Sequence, residues 1–169
     1  MRGFTLIELL IYTALAGMFL TGVTYFAIGL LNGQAKTLVE QEVNDNLRNA
    51  TRRIVFEIRN AQGINSLTSN DLCLQMSNAT YNPTRVYLSS SKIRIAWGGG
   101  SANCTSMTND VQLTSDLVTV NSINFYNHTS GTLTKNISFN LNISYNSSSG
   151  GQVWTKNQNY TGNAELRSN

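Results

Sequence analysis

A single carboxylate, Glu8, sits near the start of an otherwise uncharged apolar run, residues 4–31. Folding a soluble domain does not call for an acid there. At the centre of a membrane helix a lone Asp, Lys or Arg costs roughly 2.5–3.5 kcal/mol, and Glu should be comparable. A charge so placed needs a partner. The sequence offers one if the chain is cut between Gly3 and Phe4. Cleavage there creates an α-amino group on Phe4, four residues before Glu8, and removes Arg2, the only basic residue ahead of the run. The chemistry is cleavage of one peptide bond, followed by pairing of the new amine with a carboxylate.

The string from Met1 to Leu10 resembles the processing site of the type IV pilin superfamily, which includes the pseudopilins of type II secretion. Gly3 matches the residue before the scissile bond, Phe4 the residue that becomes the N-methylated terminus, and Glu8 the acid at the fifth mature position. Two features depart from the family pattern. The leader, residues 1–3, is short and carries one basic residue. The helix also lacks the proline that many major pilins carry about twenty residues in, since Pro83 is the only proline. The resemblance implies a prepilin peptidase that cuts after Gly3 and methylates Phe4. It also implies that Glu8 meets the Phe4 amine of a neighbouring subunit during assembly, or, as a milder alternative, the amine of its own chain one turn away.

Two other readings fit this end less well. A signal peptide cut after Ala14-Leu15-Ala16 would place Glu8 inside its apolar region, and the apolar character continues past that site. A plain single-pass anchor fits the run, which would reach about 42 Å as a helix against a hydrocarbon core of roughly 30 Å. That reading leaves Glu8 unexplained.

The elements that must carry these residues follow from periodicity. Beyond Asn32-Gly33 the pattern resumes. Val43, Leu47, Ala50, Ile54, Ile58 and Ala61 recur at spacings of 4, 3, 4, 4 and 3, one face of an amphipathic helix. Gln62-Gly63 supplies a stop signal. One nearly continuous helix over residues 5–61 is expected, about 85 Å long at 1.5 Å per residue. Its first half wants lipid or other apolar helices, and its second half wants a sheet. Gly17, Gly22, Gly29 and Gly33 punctuate the first half. They either let helices approach closely or mark weak points where the helix can unwind, and the two readings are compatible.

After Gly63 the period falls to two. Strands are expected at residues 72–76, 85–88, 92–97, 117–126 and 137–145, with a turn at 89–91, a loop at 98–103, and final strands at 152–155 and 159–166. Ile137, Phe139, Leu141, Ile143 and Tyr145 alternate with Ser and Asn, as in an antiparallel sheet buried on one face. The fold class is α+β: a long N-terminal helix whose second half lies across an antiparallel sheet. This also looks like the pilin fold. The stretch 47–61 and the closing residues 164–169 resemble minor pilins and minor pseudopilins.

The remaining candidates carry little. Charged residues make up 12% of the chain, and the formal charge of +3 is too small to argue for nucleic acid or anionic lipid. Arg48, Arg52, Arg53 and Arg59 follow Glu40, Glu42 and Asp45. They read as a solvated face with Asp45–Arg48 and Arg53–Glu57 pairs, ahead of a filament contact or a DNA-binding strip. Two cysteines, Cys73 and Cys104, would close a loop of about thirty residues if the domain is exported, worth roughly 3–4 kcal/mol. The alternative is two unrelated thiols. Two cysteines and one histidine, His128, give no metal cluster, and no cofactor is expected. Asp110 and Asp116, in an expected Thr/Asn-rich loop, are weak candidates for calcium. The sequons at Asn49, Asn78, Asn103, Asn127, Asn136, Asn142, Asn146 and Asn159 reflect composition. No G-x-S-x-G, P-loop or metal spacing points to an enzyme.

The organisation expected is a leader over residues 1–3, a transmembrane and filament-core helix over 4–33, an amphipathic half over 34–62, and an exported sheet domain over 63–169. The expected role is a minor pilin or pseudopilin. It would be anchored in the inner membrane with its C-terminal domain outside, then move into a cell-surface or periplasmic filament. Its partners would be prepilin peptidase and other such subunits. The competing reading is a membrane-tethered binding module that does not polymerise.

Overall fold

A computed structural model describes residues 5–99, 102–129, 135–145 and 155–167. The chain divides into two compact units, Met1–Leu38 and Val39–Asn169. The helix α1, Leu6–Asn60, contributes to both.

In the first unit α1 carries an apolar surface that the chain does not cover. Leu6, Phe19 and Tyr25 are 79%, 71% and 83% exposed. The helix is unbroken through Gly17, Gly22, Gly29 and Gly33. Its threonine hydroxyls donate back into the ladder, Thr13 to the Leu10 carbonyl, Thr21 to Gly17, Thr24 to Leu20 and Thr37 to Gly33. These bonds satisfy each hydroxyl without water, as an apolar surrounding requires.

In the second unit the expected face of α1 is buried. Val43, Ala50, Ile54 and Ile58 are sealed from solvent, and Leu47 packs partly against them. The helix then gives way at once to β1, Ala61–Leu67. The helix ends at Asn60, just before the expected stop signal at Gln62-Gly63. Gly63 itself lies within β1, where the register shifts between Ala61 and Gly63 and leaves Gln62 as the extra residue of a bulge. Ala61 remains buried as the first residue of the strand.

The strands that follow are β2 (Asp71–Met76), β3 (Thr84–Ser89), β4 (Lys92–Trp97), β5 (Asn109–Gln112), β6 (Val118–Asn127), β7 (Asn136–Tyr145) and β8 (Asn157–Glu165). A short 3-10 turn, Ala79–Tyr81, links β2 to β3. The β3–β4 hairpin turns on Ser90 and Ser91, both at positive φ (51° and 59°), as a two-residue turn of matching twist requires. Of the expected final strands, 159–166 is found as β8. The strand expected at 152–155 falls, apart from Thr155, outside the described residues.

Among the described residues all pairings are antiparallel, but they form two sheets where one was expected: β1-β2-β3-β4-β5 and β6-β7-β8. The reason lies in the backbone of β6. Val120 N–H donates to the Ser91 carbonyl and Phe125 N–H to the Ser69 carbonyl, both in hairpin turns of the first sheet. The second sheet therefore meets hairpin ends of the first rather than extending its ladder. Both sheets share one core with α1, in which Leu72, Leu74, Val86, Ile93, Ile123, Phe139 and Leu141 lie with Ile54 and Ile58.

Cys73 and Cys104 are disulfide-bonded, with Cα atoms 6.1 Å apart. The bond ties the loop between β4 and β5 to β2. Gly99, at φ +100°, leaves that loop no room for a side chain, since an added Cβ would sit 1.9 Å from the Ser106 carbonyl oxygen. With a sequence separation of 31, replacing both cysteines by serine should cost about 3–4 kcal/mol. A clear fall in Tm of the double variant without reductant is the expected reading. An unchanged Tm would show that the bond does not stabilise the fold.

Candidate assembly site

Glu8 lies in the first turn of α1. Thr5 precedes the helix and its carbonyl accepts from the Glu8 and Leu9 N–H groups at 3.1 and 3.3 Å. The Thr5 hydroxyl reaches Glu8 Oε2 at 3.5 Å, the outer limit of a hydrogen bond. Among the described residues no other hydrogen bond or ion pair holds the carboxylate, and an acid in a first turn suits the helix dipole. Its neighbours Leu6, Ile7, Leu9, Leu10 and Ile11 are each more than half exposed. The site thus presents one negative charge within an apolar surface. Gly3 and Phe4, the expected processing residues, lie outside the described residues.

The same helix is long and apolar enough to cross a membrane, and its apolar window is buried nowhere within the chain. Shallow apolar notches open at Gly22, beside Phe19, Val23 and Phe26, and at Gly29 and Gly33, beside Leu30 and Leu38. A Cβ added at any of the four helix glycines would meet nothing within 4 Å. These notches have the shape that admits side chains of an apposed helix.

The second unit holds its part of α1 with polar contacts that sequence reasoning missed. Asn46 Nδ2 donates to Glu42 Oε1 at 2.7 Å, and Asn46 Oδ1 accepts the Ser115 N–H at 2.7 Å. The Ser115 hydroxyl completes the ring to Glu42 Oε1 at 2.6 Å. Lys156 pairs with Glu40 at 3.2 Å. The signal available was Asn46 itself, a polar residue set between Val43 and Ala50 on the apolar face.

The other expected sites scatter. Arg53 pairs with Glu57 at 2.7 Å, as expected. Among the described residues no ion pair joins Asp45 to Arg48. His128 Nε2 meets the Ser138 hydroxyl at 2.7 Å. Asp110 lies in strand β5 rather than in a loop, and accepts from Arg94 and from the Tyr87 hydroxyl. Burial and that hydrogen bond raise the Tyr87 hydroxyl above its ordinary range. Asp116 accepts instead from Gln112. Arg85 forks onto Asp71 across β2 and β3, a bond that holds the guanidinium charged.

The first 24 residues match the prokaryotic N-terminal methylation motif. The chain therefore carries a type IV pilin-like prepilin motif, and its α+β arrangement is consistent with the pilin fold. That motif implies processing by prepilin peptidase and pilin-type assembly in general, and its family is structural rather than catalytic. Motif and apolar helix together are consistent with membrane anchoring. No curated protein and no solved structure matches the chain.

One buried acid makes a prediction. Burial raises the Glu57 carboxyl above its ordinary 4.5, and Arg53 opposes that only in part. The folded state then holds this proton more tightly than the unfolded state. The resulting stability is full below pH 4.5 and is lost as the pH rises through the folded pKa. Glu57→Gln should therefore raise Tm near neutral pH, with the gain shrinking as the pH falls below the ordinary carboxylate range. A gain that is the same at both ends of that titration would contradict the assignment.

Proposed function

We propose that this chain is a minor pilin or minor pseudopilin, a non-enzymatic subunit of a type IV pilus-like or type II secretion filament. Prepilin peptidase removes residues 1–3 by cutting after Gly3, and Phe4 becomes the methylated terminus. Residues 4–33 anchor the subunit in the inner membrane and later pack in the filament core, and 34–62 form the amphipathic half of the helix. Residues 63–169 form the exported domain, which ends in a cell-surface or periplasmic filament.

The observation that carries this reading is Glu8, an exposed first-turn carboxylate on an apolar helix face that the chain itself leaves uncovered. In a low-dielectric bundle such a charge is costly alone and strongly favoured beside an amine. The Phe4 amine of a neighbouring subunit supplies that partner and fixes the axial register in one contact. A simple tether would gain from losing the charge.

Two measurements test the proposal. Intact-mass and N-terminal peptide analysis from the native membrane should find a chain beginning at methylated Phe4. A chain starting after Ala16 would remove the basis for a filament. Glu8→Ala should leave the processed subunit in the membrane but cut its recovery in sheared filaments by roughly tenfold or more, the scale of a lost buried charge pair. Undiminished assembly of this variant would favour the non-polymerising tether.

A further inference from the structure

A pocket of about 640 Å³ lies where α1 ends, between the start of β1, the turn after β2 and Arg167, two residues past β8. Its size falls within the usual range for small-molecule sites. It is walled by planar polar groups and rimmed by two exposed aromatic rings, Phe56 and Tyr81. Arg53 spans Glu57, at 2.7 Å, and the Phe56 ring, at 5.6 Å. Glu57 is nearly buried, and its Oε1 carries the Arg53 contact.

The facing wall is preorganised. Asn78 caps the 3-10 turn by accepting the Thr80 N–H at 2.9 Å, which leaves its amide NH₂ to donate. Asn82 accepts the Met76 N–H at 3.0 Å and fixes the same turn from its other end. Tyr81 is backed by Trp97, with ring centroids 6.4 Å apart. Arg167 closes the pocket, and among the described residues it makes no ion pair.

The charges set the ligand class. Among the charged side chains that line the pocket, Arg53 and Glu57 pair, and Arg167 adds one positive charge. A ligand with one negative charge answers it. Amides on Asn60, Gln62 and Asn78, with the Arg53–Glu57 pair, supply donors and acceptors in planes suited to neighbouring hydroxyls. An exposed, supported aromatic ring suits the C–H face of a sugar. A doubly charged phosphate would meet the Glu57 carboxylate, and a cation would meet two guanidinium groups.

We propose that this pocket binds an acidic saccharide, a sugar ring bearing one carboxylate. Arg167 pairs with the carboxylate, the Arg53–Glu57 pair and Asn78 read the hydroxyls, and Tyr81 supports the ring. This site lies wholly in the second unit and does not depend on the filament reading.

The test uses the full-length chain in a detergent without sugar headgroups, titrated with D-galacturonate, galactose and inorganic phosphate by ligand-observed NMR. Saturable binding of galacturonate is expected, at least roughly tenfold tighter than galactose or phosphate. Arg167→Gln should erase the preference over galactose, and Tyr81→Ala should weaken both sugars, with Tm unchanged in the first variant. No saturable binding of galacturonate overturns the proposal. So does binding of galactose or phosphate as tight as that of galacturonate, or galacturonate binding that Arg167→Gln leaves intact.

Discussion

The structure depends on an apolar helix surface that the chain cannot cover. The side chains from Leu6 to Leu31 on the first part of α1 are exposed throughout. At about 25 cal/mol per Å² of apolar surface, leaving so many large side chains in water would be strongly unfavourable. Such a surface persists only in lipid or against other apolar helices. The internally bonded threonines belong to the same constraint, because a hydroxyl in that setting must find its acceptor within its own helix. Glu8 is the one group that breaks the pattern, and its two candidate surroundings differ. Lipid would give it no partner, whereas in the filament proposed above a bundle of such helices would bring an amine within reach of each carboxylate.

The second unit solves a different problem. Residues 43–58 place one face of α1 on a core shared by two sheets. Apolar packing fixes which face turns inward but leaves the helix free to slide along the sheets. Directional bonds remove that freedom. The Glu42–Asn46–Ser115 ring and the Lys156–Glu40 pair engage α1 from the segment before β6 and from the start of β8. A ring of fully satisfied polar groups specifies position at little net cost, whereas a half-satisfied one would destabilise the core. The close seating of Gly162 against the Phe139 ring serves the same end in the second sheet, since an added Cβ would lie 2.6 Å from that ring.

Long periodic segments were legible in the sequence and short irregular ones were not. The spacing from Val43 to Ile58 and the alternation from Ile137 to Ile143 each repeat several times, so the buried face is over-determined. Strand β1 reads Ala-Gln-Gly-Ile-Asn-Ser-Leu and is interrupted by bulges, so no alternation survives. Strand β5 has one apolar residue, Val111, among Asn, Asp and Gln, and reads as a loop. The division into two sheets is a matter of which backbone groups meet, which side-chain pattern does not encode. Of the candidate assembly site, Glu8 was visible because a charge in an apolar run is anomalous. The pocket was not, because Arg53, Asn78 and Arg167 are far apart in sequence. Glu57 was its one available signal, an acid set between Ile54 and Ile58 on the buried face.

Strand β5 shows how a weakly encoded element is held. Four residues with one half-exposed valine bury too little apolar area to order themselves. Three other restraints act on it. The Cys73–Cys104 bond shortens the free loop leading into β5 and so lowers its closure entropy. The Arg94–Asp110 pair and the Tyr87 hydroxyl anchor its outward side. Leu113 N–H, just past its end, donates to the Ile93 carbonyl at 2.8 Å. Hydrogen bonds and a covalent tie here take the place of hydrophobic burial. Such a device lets the outer edge of the first sheet remain short and polar, which discourages unwanted pairing with other chains.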